Sequence, residues 1–319
     1  MKFVVAASRR GIFAVFCTVL LFSSQIAAQP TYRSGQLIEP AYEGWRENPD
    51  GTFSFIFGYM NENWEEEPKI PVGENNMFSP GDPDRGQPTH FLPRRNRFTF
   101  EVVVPADWGD RELVWTLISA NGIERKAYAT LAPDYVIDNV VIASETGSLG
   151  AGSSSPESRA NKPPEITLVG DRIRTVRVGE VLTIQSRLVD DGVPRRNDPL
   201  SSVRSATTVE DVLARYQRRI MQRPSRITVN KINGLYLSWN VYRGEGEVMF
   251  DPPQVKPWED TRAASNSPWG DLWVPPTIPE DGIVTVDVQF DQPGDYILWA
   301  RADDGGLYSD QYLEVSVTP

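Results

Sequence analysis

Few side chains in this sequence are equipped for chemistry, and their spacing narrows the choice further. His90 is the sole histidine, and the sole cysteine, Cys17, lies in the N-terminal apolar stretch. A zinc or copper site would need more nitrogen or thiolate ligands than the chain supplies. No nucleophile-elbow motif accompanies His90 to suggest a Ser-His-Asp triad, so it reads as a structural loop residue. The oxygen-rich turns come next. Asn75-Asn76 precede Asp82-Pro83-Asp84, and two Asp-Asp-Gly turns follow at Asp190-Asp191 and Asp303-Asp304. Hard calcium takes such ligands, but tight turns demand the same residue types. Calcium on these six aspartates is the single cofactor expectation, beside a plain turn reading that needs none. Glu65-Glu66-Glu67 could supply a glycosidase carboxylate, which needs a second acid facing it. Three adjacent acids are usually an ordinary solvated loop. Trp258, Trp269 and Trp273 sit among prolines, where their flat faces could stack on a ligand or cover an exposed sheet. There is no Gly-rich phosphate loop, CxxC or HExxH.

These groups must be positioned by short strands. Residues 53–59 place four aromatics (Phe53, Phe55, Phe57, Tyr59) on one face, after the turn sequence Asn48-Pro49-Asp50-Gly51. Phe98, Phe100, Val102 and Val104 alternate in the same way. Strands at residues 113–117 and 127–131 flank Asn121-Gly122, a two-residue hairpin signal. The small and polar run 144–164 cannot bury enough apolar area to offset chain entropy and reads as a flexible linker. The β pattern resumes at 165–169 and 181–189, and again near the end at 284–290, 296–302 and 311–317. Between them, Thr207 or Thr208 is expected to cap a helix over residues 209–221, with Val209, Val212, Leu213, Tyr216 and Ile220 on one face and Pro224 as its stop. A strand pair at 235–242 and 247–250 is expected to follow, joined across Gly244-Glu245-Gly246.

The expected fold is therefore mainly β: two antiparallel Ig-like β-sandwich domains, the second with a helix-containing insertion. The expected boundaries are a first domain at 34–143, a linker at 144–164 and a second domain at 165–319, with the insertion at about 195–282.

Lys2, Arg9 and Arg10, the apolar run 12–22 and the small residues ending at Ala28 have the layout of a secretory signal peptide, residues 1–28, cleaved after Ala28. The run is too short for a confident membrane span. The expected setting is thus the periplasm or the medium of a bacterium, and a chain without thiols there depends on its core alone. The net charge of −11 grows more negative once the leader is removed, and such a surface repels nucleic-acid phosphates.

The C-terminal half resembles the bacterial extracellular Ig-like group that includes polycystic-kidney-disease (PKD) and cadherin-like repeats. The carrying residues are Asn161-Lys162-Pro163-Pro164, Val189-Asp190-Asp191-Gly192, Gln292-Pro293-Gly294-Asp295-Tyr296 and Asp303-Asp304-Gly305. Asp295-Tyr296 at a strand start resembles the tyrosine corner of such sandwiches. The N-terminal half, through Phe57–Asn63 and the run from Pro71 to Phe91, is similar to exported proteins of environmental bacteria to which no activity is attached. The resemblance implies a fold and transfers no catalytic residue. Three functional readings follow: a non-enzymatic exported protein that binds an envelope protein or glycan or builds the envelope, a carbohydrate-active enzyme using paired carboxylates, and a calcium-stabilised adhesion module.

Overall fold

The computed structural model describes residues 32–145, 156–195, 201–221, 234–255 and 276–319. Fourteen strands dominate these residues, and they build two sandwiches. The leader, residues 146–155 of the linker and Trp258, Trp269 and Trp273 lie outside the described residues.

The first sandwich uses β1 (Ile38–Glu47), β2 (Phe53–Asn61), β3 (Asn76–Ser79), β4 (Arg94–Val104), β5 (Leu113–Ile118) and β6 (Glu124–Ala129). One sheet has the order β1-β2-β4 and the other β3-β5-β6, all antiparallel. The alternation in β2 directs Phe55, Phe57 and Tyr59 into the core. There Phe57 stacks on Phe100 at 5.4 Å, and Phe78 of the facing sheet stacks on Trp115 at 5.8 Å. The Asn121-Gly122 hairpin joins β5 to β6, with Gly122 at φ +78° donating its N–H to Ser119 at 2.8 Å. Buried Asn76 completes the core: its amide donates to the carbonyls of Ile70 and Pro88, and its Oδ1 accepts from Trp115 Nε1 at 3.0 Å.

One alternation breaks. Phe98 was expected on the same core face as Phe100, but its φ is +51° and the β2–β4 register shifts beside it. A bulge of this kind re-aims a side chain. Phe98 thus leaves the central core for a separate cluster with Ile56, Ile137, Ile142 and Leu307.

The second sandwich uses β7 (Glu165–Leu168), β8 (Ile173–Arg177), β9 (Leu182–Val189), β10 (Tyr236–Arg243), β11 (Val248–Asp251), β12 (Ile283–Phe290), β13 (Gly294–Asp303) and β14 (Tyr308–Thr318). Its sheets run β7-β9-β12-β11 and β8-β14-β13-β10, and β8 lies parallel to β14. The two orders are those of an Ig-like sandwich. Tyr296 makes the expected corner, its hydroxyl donating to the Gln292 carbonyl at 3.0 Å.

The strand pair expected within the insertion is a different object. β10 pairs with β13 and β11 with β12, so the two strands sit in opposite sheets. The chain crosses between sheets at Gly244-Glu245-Gly246, directly over the Tyr296 ring. A Cβ at Gly244, whose φ is +147°, would fall 2.2 Å from that ring. Residues 236–251 are thus integral to the sandwich, and the span expected as a single insertion at 195–282 is two connections either side of them. The first holds the helix Val209–Ile220, capped as expected: Thr208 Oγ1 accepts from Asp211 N–H at 3.1 Å. Val209, Leu213 and Tyr216 on its apolar side are exposed.

Candidate functional site

The two sandwiches pack side by side, and a groove lies between them. Its floor comes from the register of β13 and β14, which sets Arg301 opposite Asp310, Trp299 opposite Tyr312 and Ile297 opposite Glu314. Alternation turns these six to the outer face, while Leu298, Ala300, Leu313 and Val315 fill the core behind. Phe98, Phe100, Tyr242, Tyr308, Tyr312 and Ile297 line a cavity of about 460 Å³. Glu101, Asp310, Glu314 and Arg243 supply its charges.

Arg301 is the central pin, only 2 % exposed. Its Nε and Nη2 both donate to Asp310 at 2.7 Å, and its guanidinium lies 4.0 Å from the Tyr308 ring centre and 4.5 Å from that of Trp299. Nη2 also donates to the Phe98 carbonyl at 2.6 Å, and Nη1 to the Arg97 carbonyl at 3.3 Å, both in the first sandwich. Burial works against the guanidinium's charge, but the adjoining carboxylate outweighs it and its pKa is raised. Trp299 Nε1 donates to the same carboxylate at 2.8 Å.

The loop at 80–90 forms a second docking region. Asp84 accepts from both terminal nitrogens of Arg243 at 2.7 and 2.9 Å, Arg243 Nε donates to the Gln87 carbonyl, and the Tyr242 hydroxyl donates to that of Gly86. The N–H groups of Thr89 and His90 both point at the Tyr242 carbonyl. The hydrogen bond from Arg243 holds the Asp84 carboxyl below its usual range. Nearby, Lys69 spans to the carbonyls of Glu245 and Gly246 and to the Glu247 carboxylate. The end of the run that carries the N-terminal resemblance, from Asp84 to His90, therefore docks on the second sandwich.

The other sequence candidates have plain partners. Glu65 pairs with Arg33, Glu66 accepts from the Gly35 N–H, and Glu67 Oε2 lies 2.6 Å from His90 Nε2. No two of these acids face each other across a cleft. Asp82 accepts from the Asp84 N–H and is exposed, as a turn residue would be.

The Asp-Asp-Gly turns meet at the start of the second sandwich. Asp191 accepts from the Lys162 N–H at 3.1 Å, and Asp304 Oδ2 accepts from Asn161 Nδ2 at 3.1 Å. Asp304 Oδ1 closes its own turn on the Gly306 and Leu307 N–H groups, and Asp303 does so on Gly305. Burial first, and the Asp303 charge second, push Asp304 up to about 7. Burial also raises Asp190. Asn161 Oδ1 and Asp190 Oδ1 are buried without a hydrogen-bond partner among the described residues. Among those residues no three His, Cys, Asp or Glu side chains converge to hold a metal.

Arg301 and Asp310 escaped the sequence reading because each looks like an ordinary charged residue on a solvated strand. The available signal was an Arg flanked by Trp299 and facing Tyr308 and Asp310 across a turn.

No family model matches the chain, and no curated protein matches it either. Solved structures similar to it are domains 4 and 5 of the S-layer protein SbsC (11% identity, 89% of this chain and 98% of that chain, TM-score 0.23) and a chimeric titin Z1Z2 (9%, 88% and 91%, TM-score 0.22). The Yersinia pseudotuberculosis adhesin InvE is similar at 9% identity over 88% of this chain and 58% of that chain, with a TM-score of 0.23. Likenesses this shallow carry no argument, and the Ig-like assignment stands on the strand orders.

Proposed function

We propose that this chain is an exported, non-enzymatic binding module that takes an envelope protein or glycan in the groove between its sandwiches. The observation that carries this reading is the groove's composition. Aromatic rings dominate its walls, which suits recognition. Two of its carboxylates are already neutralised, Asp310 by Arg301 and Glu101 by Arg46 at 2.5 Å. Glycoside hydrolysis needs one carboxyl as acid and a second as base or nucleophile, and these two are held in ion pairs. Among the described residues no helix is long and apolar enough to cross a membrane. The test is capture of envelope proteins and polysaccharides by the purified chain and by Ile297→Trp, which fills the groove. Capture that Ile297→Trp abolishes supports the groove as the site, and undiminished capture overturns it.

A calcium-stabilised junction is a second reading, favoured by the two orphaned oxygens of Asn161 and Asp190 beside Asp191 and Asp304. Such oxygens suit a hard cation. Calcium that binds only the native state would raise the melting temperature by several degrees, and EDTA would reverse it. An unchanged melting temperature would leave these residues as turns.

A further inference from the structure

We propose that the groove binds an organic cation: a quaternary ammonium, or the charged end of a lysine or arginine side chain. This rests on the reading that the groove is the ligand site.

The argument starts from charge. Of the groove's four ionic groups, three are compensated: Glu101 by Arg46, Asp310 by Arg301 and Arg243 by Asp84. Glu314 has no ion-pair partner among the described residues and is exposed at the groove. One negative charge is thus left to meet a ligand. The rings add to it. Tyrosine and phenylalanine faces carry negative quadrupole potential, and they attract cations most strongly where water is excluded. Burial raises the pKa of Tyr242, Tyr308 and Tyr312, so the phenols stay neutral and their rings remain the recognition element. The same face already binds a cation in this way. Arg301 lies against Trp299 and Tyr308 with Asp310 as its counter-ion, and one register step along the strands Tyr312 and Glu314 repeat the ring-and-carboxylate pattern with no ion pair to Glu314 among the described residues, Arg243 being held by Asp84. The cavity, about 460 Å³, falls in the range of small-ligand sites. The acidic chain as a whole raises the local concentration of cations.

The test is calorimetry on the full mature chain with choline as the free probe, a short lysine-containing peptide as the side-chain probe, and the uncharged isostere of choline in which carbon replaces nitrogen. Choline should bind at least about tenfold more tightly than the isostere. Glu314→Gln should weaken it several-fold without moving the melting temperature, since the residue is exposed. Tyr312→Leu should weaken it by about twofold to thirtyfold, and Ile297→Trp should abolish it. A peptide that binds much more tightly than choline identifies the source as a partner chain, and the reverse identifies a free solute. Either supports the cation chemistry. Equal binding of choline and its isostere overturns it. Saccharide binding that Ile297→Trp abolishes, with no choline binding, overturns the cation and leaves the groove standing. No binder sensitive to Ile297→Trp overturns both.

Discussion

Arg301 Nη2 donates to the Phe98 carbonyl at 2.6 Å, joining residues 203 positions apart and in different sandwiches. The acceptor is available because Phe98 sits at φ +51°, outside the strand conformation of its neighbours. A non-glycine residue held there costs of order 1–3 kcal/mol and persists only where its surroundings fix it. Here the stack of its ring on Tyr308 and the buried guanidinium do so.

Removing Arg301 should be costly. Arg301→Met leaves Asp310 partly buried beside two carbonyls that lose their donor. Breaking a buried pair in this way costs about 3–5 kcal/mol. Arg301→Lys should recover little, because an ammonium cannot serve the carboxylate and the carbonyls in one plane. Urea denaturation of both variants checks this, and a loss under about 1 kcal/mol would mean the pin carries no weight.

Severing the connection should not separate the halves. A protease site introduced between residues 148 and 153, once cleaved, should leave two fragments that co-elute on gel filtration. Tyr242 and Trp299 are buried with the first sandwich's core, so independence would expose them. Elution as two species would show that the shared surface is too weak to hold without the covalent tether.

Stability should fall as pH rises from about 4 to 7. Asp304 has a folded pKa of about 7, above the ordinary unfolded value near 4. A carboxyl raised on folding binds its proton more tightly in the native state. Its contribution is complete below the unfolded pKa and is lost as pH climbs through the folded one. The slope is at most about 1.4 kcal/mol per pH unit for one such group. Asp304→Asn should flatten the profile, with the Asn161 amide turning to present its orphaned Oδ1. A profile of unchanged slope in that variant would assign the titration elsewhere.

Gly244→Ala should destabilise the second sandwich by about 1–3 kcal/mol, the usual cost of forcing atoms into a filled site. The new Cβ meets the Tyr296 ring at a backbone angle that suits glycine alone. Thermal melts of the variant measure it, and a wild-type melting temperature would mean the crossover can shift.

Local signals carried much of this fold. The Asn121-Gly122 hairpin, the Thr208 cap and the Tyr296 corner each depend on residues a few positions apart, so their chemistry is written in short words. The groove is not. Asp84 and Arg243 are 159 positions apart, and nothing around Asp84 distinguishes an ion-pair partner from a turn former. The same holds for Phe98, whose alternation argued for an unbroken strand until a bulge intervened. The crossover at Gly244 misled for a related reason: two glycines between strands signal a hairpin, and only the position of Tyr296 makes them a bridge between sheets.

The pins between the sandwiches reach mostly for main-chain atoms: the carbonyls of Gly86, Gln87, Arg97 and Phe98 on one side, and those of Tyr242, Glu245 and Gly246 on the other. A carbonyl is the same in every residue. A substitution there therefore leaves that hydrogen bond in place, provided the backbone path is kept. In aligned relatives, correlated substitution between the halves should concentrate where side chain meets side chain, at Asp84 with Arg243, Lys69 with Glu247 and Phe98 with Tyr308, and positions that offer only a carbonyl should drift without leaving a trace.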